Sequence, residues 1–187
     1  MSNPHGVRRA TDIDIEVLAE LVPQILAESE VLPLSVSKIQ VLVERCCLQK
    51  GGAIAGVIDG DAGAIDASIG MTFVESPISD QQYISVVWCG LSPMARQLPD
   101  NVKSNDKHPR QHYGRRLFDF ARWAHEGIER ACGQPVIMRW DVLTRENLTP
   151  KMGLYSRHVP QIGAYYGLGA IGVFKPQVDA AAVDAAA

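Results

Sequence analysis

The run Val86-Val87-Trp88-Cys89-Gly90-Leu91, followed after a polar stretch by Gln111-His112-Tyr113-Gly114-Arg115-Arg116, decides how this chain is read. Its first half closes a segment from Tyr83 that is rich in β-branched and aromatic residues and ends at Gly90-Leu91-Ser92-Pro93, which predicts a central, mostly buried strand. Its second half leads into Leu117, Phe118, Ala121, Trp123, Ala124 and Ile128, a helical run that stops near Cys132-Gly133. A helix start presents unpaired backbone N–H groups and the positive end of the macrodipole, and a glycine there admits a phosphate closely. With His108, Arg110, His112, Arg115 and Arg116 around Gly114, the turn has the composition of an anion cradle. The same pattern also fits a glycine that only eases a loop into a helix beside solvated arginines. The Gly-Lys-Ser/Thr ending of a Walker loop and the three spaced glycines of a Rossmann turn are both missing.

Upstream, residues 7–10 read as a short strand, and Thr11 or Asp12 caps a helix carrying Ile13, Val17, Leu18, Leu21, Ile25 and Leu26, with a kink or break expected at Pro23. Ser35 or Ser37 caps a second helix with Ile39, Leu42, Val43, Cys46 and Cys47 on its apolar face, ended by Gly51-Gly52. Residues 53–58 and 67–74 form a predicted hairpin about Asp59-Gly60-Asp61. Residues 98–110 are polar, carry two prolines and read as an exposed loop. Residues 135–143 read as a further strand, 150–158 as a helix, and 163–174 as a closing strand or hairpin. The Ala/Val/Asp tail at 176–187 is expected to fray, leaving one domain over 1–175.

A length of 187 residues with 47% hydrophobic content fits one domain with a sizeable core. The net charge of -3 calls for neither nucleic acid nor an anionic membrane as partner. Cys46, Cys47, Cys89 and Cys132 form no CxxC pair and are expected as reduced thiols. His108 and His112 straddle Pro109 without an evident third ligand, so no metal site is expected. No apolar run is long enough to span a bilayer and residues 1–9 lack a signal-peptide core, which makes the cytoplasm the expected location.

Several of these residues together resemble the GNAT acyltransferase family. Leu91-Ser92-Pro93-Met94-Ala95-Arg96 resembles that family's strand end and Pro-x-x-Arg step, and Gln111-x-x-Gly114-x-Arg116 resembles its Arg/Gln-x-x-Gly-x-Gly/Ala acetyl-CoA loop. Residues 7–14 are similar to its first strand and helix cap, and Asn147 and Leu154-Tyr155-Ser156-Arg157 to its late asparagine and Leu-Tyr helix. The likeness covers roughly residues 7–174 in order, with only the glycine loop a specific motif. Arg116 departs from the family's small residue, and about a dozen residues are inserted between Arg96 and Gln111. The stretch from Leu154 into Gly163-Ala164-Tyr165-Tyr166 is similar to GNAT-like proteins carried by tailed bacteriophages, which implies a viral origin.

The resemblance implies an α/β (α+β) fold: a central mixed, mostly antiparallel sheet of six or seven strands with a splayed parallel pair, flanked by helices. It implies acetyl-CoA as cosubstrate, held by Trp88, Cys89, Gly90 and Leu91 at the strand gap and by Gln111, His112, Tyr113, Gly114, Arg115, Arg116 and Asn147. Gly90 suits a bulge or a close backbone approach there, or an ordinary strand break. Acetyl transfer to a primary amine would use Tyr155 as acid, with Tyr165 and Tyr166 as competitors. Glu75 or Asp141 would serve as base, a water relay being the alternative. Cys89 invites an acyl-cysteine route, but no histidine is clearly placed to activate it. The acceptor is a small-molecule or peptide amine, and the reading leaves room for a homodimer and a protein partner on the 98–110 loop. Two rivals stand beside it: a GNAT-shaped module that has lost turnover, and an unrelated nucleotide-binding domain.

Overall fold

A computed structural model describes residues 6–27, 34–60, 63–75, 82–96 and 113–140, together with short strands at 165–166 and 175–176. The backbone divides into two units, Met1–Thr144 and Arg145–Ala187.

In the first unit β1 (Arg8–Arg9), β2 (Ile54–Asp59), β3 (Ile65–Glu75) and β4 (Gln82–Leu91) pair antiparallel in sequence order, and β5 (Ile137–Trp140) joins β4 in parallel. The expected hairpin is therefore present as β2 and β3, and the strand through Trp88 lies inside the sheet. Five described strands make up this sheet, where six or seven were expected; the remaining two, β6 (Tyr165–Tyr166) and β7 (Lys175–Pro176), form their own antiparallel pair in the second unit.

Helix α1 (Ile15–Ala27) follows a 3-10 turn over Asp12–Asp14 whose cap is Thr11; the Thr11 backbone N–H donates to Asp14 Oδ2 at 2.8 Å. This reciprocal use of the third residue's carboxylate satisfies donors that a helix start leaves open. The helix runs through Pro23 to Ala27, so the break expected there is not found. Helix α2 (Val36–Cys47) is capped at Ser35 and ends before the glycine pair, with Gln49 in the left-handed region at φ 54°. The short α3 (Pro93–Arg96) starts at Ser92, whose Oγ accepts from the Ala95 N–H at 3.1 Å. Helix α4 (Tyr113–Cys132) is the last of the described helices, and its Glu129 accepts from Val136 N–H at 3.0 Å, fixing the chain just before β5. No described helix is long and apolar enough to cross a membrane.

Two apolar clusters cover the sheet. One gathers Leu18, Val22 and Ile25 of α1, Val43 and Cys46 of α2, and Ala55, Val57 and Trp88 from the strands. The other gathers Leu117, Phe120 and Ala121 of α4 with Ile69, Met71, Ile84 and Val86. Strand alternation assigns residues to these faces, and two bulges reset it. Asp59 pairs with Ile65 and Ile58 with Ala67, leaving Asp66 as the extra residue of β3. Gly70 pairs with Trp88 and Met71 with Val86, leaving Val87 as the extra residue of β4. Before that bulge Ile84 and Val86 join the α4 cluster; after it Cys89 and Leu91 do, while Trp88 joins the α1/α2 cluster. A bulge kinks the strand and re-aims the side chains beyond it.

Arg8 ties the start of this unit together. Its guanidinium donates to Asp14 Oδ2 at 2.7 Å and Oδ1 at 2.8 Å, and to Asp59 Oδ1 at 2.7 Å. Hydrogen bonding from Arg8 holds the Asp14 carboxyl below its ordinary range against the opposing effect of burial. Strand β1, the cap of α1 and the end of β2 are thus joined by one side chain.

Candidate functional site

Helix α4 begins at Tyr113, and its first N–H groups face the end from which the chain enters the helix. A Cβ built on Gly114 meets nothing within 4 Å among the described residues, so none of them crowds this position. Arg115 is exposed, with Asp119 one turn along at 3.9 Å. The Arg116 guanidinium donates to the Gly6 carbonyl and lies 5.6 Å from the centre of the Tyr113 ring. The residue that departs from the glycine-loop pattern is therefore held by the chain ahead of β1.

Tyr113 is buried, and its hydroxyl donates to Asp66 Oδ2 at 2.7 Å. Asp66 itself is the bulged residue of β3, and its backbone carbonyl accepts from Ser92 N–H at 2.8 Å. One residue thereby contacts both the end of β4 and the beginning of α4.

The strand side of the candidate site is β4 from Val87 onward. Its pairing with β3 continues to Leu91, whereas the described pairing with β5 ends at Val86 opposite Trp140. The bulge expected at Gly90 sits instead at Val87, and Gly90 pairs regularly with Ser68. Side-chain packing accounts for Gly90: a Cβ there would lie 2.6 Å from Ile25 Cγ2, so the glycine lets α1 pack on the strand. The Trp88 side chain is core, lying over Gly70 and donating from Nε1 to Ser68 Oγ at 3.0 Å. Only its backbone would serve a ligand at the strand edge. Cys89 and Leu91 pack partly buried on the α4 side. Burial pushes the Cys89 thiol up to about 12, so it is a thiol rather than a thiolate near neutrality. All four cysteines are free of disulfides, with Cys46 and Cys47 buried and Cys132 exposed.

Gln111, His112, Asn147 and Tyr155 lie outside the described residues, as do Asp141 and the 98–110 loop. Glu75 is the last residue of β3, opposite Gln82. Tyr165 and Tyr166 form β6 of the second unit. Sequence reasoning missed Asp66, Ser68 and Val87. Asp66 follows Ile65 in a predicted turn-and-strand region with nothing local to mark it, because its role comes from strand register.

No family profile matches the sequence, and no curated protein matches it significantly. Solved structures do match. Glucosamine-6-phosphate N-acetyltransferase from Arabidopsis thaliana superposes with a TM-score of 0.55 at 10% identity, over 88% of this chain and 97% of that one. A tetramutant of the BH1408 protein from Bacillus halodurans gives 0.54 at 16% identity, over 87% and 98%. An acetyltransferase from Trypanosoma brucei gives 0.51 at 16% identity, over 87% and 97%. At these identities the likeness defines the fold, a GNAT-like mixed sheet with a parallel β4–β5 pair flanked by helices. These similar structures lend no support to a viral origin.

Proposed function

We propose that the protein is an N-acetyltransferase that passes an acetyl group from acetyl-CoA to a primary amine. The observation that carries this reading is the GNAT-like sheet with its parallel β4–β5 pair, beside which α4 starts with Gly114 uncrowded by any described residue. Backbone N–H groups of Tyr113, Gly114, Arg115 and Arg116, with Gln111 and His112 ahead of them, would receive the pyrophosphate. The backbone of Trp88, Cys89, Gly90 and Leu91 would pair with the pantetheine arm beyond the Val87 bulge, and Asn147 would complete the binding.

In the reaction the acceptor nitrogen attacks the thioester carbonyl, a C–N bond forms, and the C–S bond breaks to release the thiolate of CoA. Glu75 takes the proton from the amine and Tyr155 gives one to the departing sulfur. An acyl-cysteine route through Cys89 is disfavoured by its raised pKa. The turnover-dead module is not favoured by Arg116, since that side chain is engaged by the Gly6 carbonyl.

Calorimetric titration with acetyl-CoA, against ATP and NAD as controls, tests the reading without knowledge of the acceptor. Binding of acetyl-CoA alone is expected; binding of ATP or NAD with equal affinity would replace it with a nucleotide-binding domain, and no binding with an interaction module. Once an acceptor amine is found by screening, Tyr155→Phe is expected to lower kcat while sparing acetyl-CoA affinity. Full activity would move the acid role to Tyr165, Tyr166 or solvent.

A further inference from the structure

Asp66 occupies an unusual place: a buried carboxylate at the bulge of β3, with room made for it by Gly60, where a Cβ would fall 2.3 Å from Asp66 Oδ1. Its backbone carbonyl holds Ser92 N–H at the end of β4, and its carboxylate receives the Tyr113 hydroxyl at the first residue of α4. Those are the two elements that carry the strand edge and the glycine turn, and residues 92–112 separate them along the chain. The Tyr113 ring in turn supports the Arg116 guanidinium, which is bonded to the Gly6 carbonyl.

We propose that Asp66 and Tyr113 form a positioning pair that sets the first turn of α4 against the end of β4 and thereby determines affinity for the pyrophosphate of acetyl-CoA; this rests on the acetyltransferase reading above. The physical reason is directional. A buried hydrogen bond of 2.7 Å between a hydroxyl and a carboxyl oxygen holds both partners in one geometry. Backbone N–H groups at a helix start bind an anion only if they point to the same spot, so a small rotation of the turn weakens several contacts together. Neither residue donates its side chain to the ligand: the Tyr113 hydroxyl is already committed to Asp66.

The test uses the full chain and the variants Tyr113→Phe, which keeps the ring under Arg116, and Asp66→Asn, which keeps an acceptor for the hydroxyl. The first N–H groups of a helix lack intrahelical partners, so amide exchange is read at Leu117 to Phe120, the first hydrogen-bonded positions of α4. Tyr113→Phe is expected to speed exchange there at least fivefold while leaving the middle of α4 unchanged, and to weaken acetyl-CoA binding about tenfold. Asp66→Asn, with the acceptor kept, is expected to show much smaller changes in both. Exchange unchanged at those amides, or raised equally along the whole helix, would overturn the pair as a positioning device. Local loosening with wild-type acetyl-CoA affinity would overturn its role in cofactor binding. Failure of the unmodified protein to bind acetyl-CoA would overturn the acetyltransferase reading itself, a result the exchange data cannot produce.

Discussion

Asp14 and Asp66 are both buried aspartates, yet the chain satisfies them by different chemistry. Asp14 faces the guanidinium of Arg8, which also reaches Asp59, and it serves the cap of α1. Asp66 accepts from the phenolic hydroxyl of Tyr113 and bridges the end of β4 to the start of α4. The Arg8 guanidinium grips both Asp14 oxygens and reaches Asp59 as well, so that joint is held by several charge-assisted bonds, whereas one hydroxyl bond links Tyr113 to Asp66. The first joint shares its load among several bonds; the second depends on one.

The largest effect is expected from removing the cation. Arg8→Ala leaves the Asp14 carboxylate, only 6% exposed, with the Thr11 donors alone; discounted for the 39% exposure of Arg8, the loss in urea-denaturation stability should be about 2–3 kcal/mol. A loss below about 1 kcal/mol would mean that water enters and that the joint resembles an ordinary surface ion pair.

Gly60→Ala comes next. The new Cβ would press on the Asp66 carboxylate, which must rotate away from Tyr113, at a cost of about 2 kcal/mol typical of overpacking. Unchanged stability would show that the second aspartate has freedom of position, and the contrast with Asp14 would dissolve.

Acid should separate the two further. The Asp14 carboxyl is depressed in the folded protein from an ordinary value of 3.8, so its contribution is present above that pH and is lost as pH falls through the lower folded value. Denaturation midpoints should therefore decline below about pH 4, and Asp14→Asn, less stable at neutral pH, should show a shallower decline than the unmodified chain. Equal slopes would remove Asp14 from the acid response.

Gly114→Val is expected to change stability least, within about 0.5 kcal/mol, since the position is open and valine and glycine are both weak helix formers. Its effect should fall on function: calorimetric titration with acetyl-CoA should lose binding. Retained affinity would take this turn out of the site.

The sequence made the local elements legible. Thr11 announced its cap, Asp59-Gly60 its hairpin turn, and the apolar spacing after Gly114 its helix, because each depends on neighbours a few residues away. What stayed hidden depends on how strands meet. Val87 and Asp66 are ordinary residues until register makes each the unmatched one. Gly90 suggested a bulge because glycine is common in bulges, yet its small size serves Ile25 of α1 on a different part of the chain. Tyr113 was legible as a turn residue through its backbone, but its hydroxyl's partner lies on β3, and no spacing rule connects the two.

The extra residue in β4 has one more consequence, for length rather than for composition. Because Val87 is the unmatched residue, deleting it would set Trp88 directly after Val86 and leave a regular strand whose last four positions keep the sides they now take. Trp88 would stay over Gly70 and Gly90 would still clear Ile25, while the kink that the bulge makes in the strand would go. Loss of Cys89 would instead turn Gly90 and Leu91 to the opposite sides, so an alignment gap at Val87 would mark a relative with a straighter strand, and a gap two residues on a different packing.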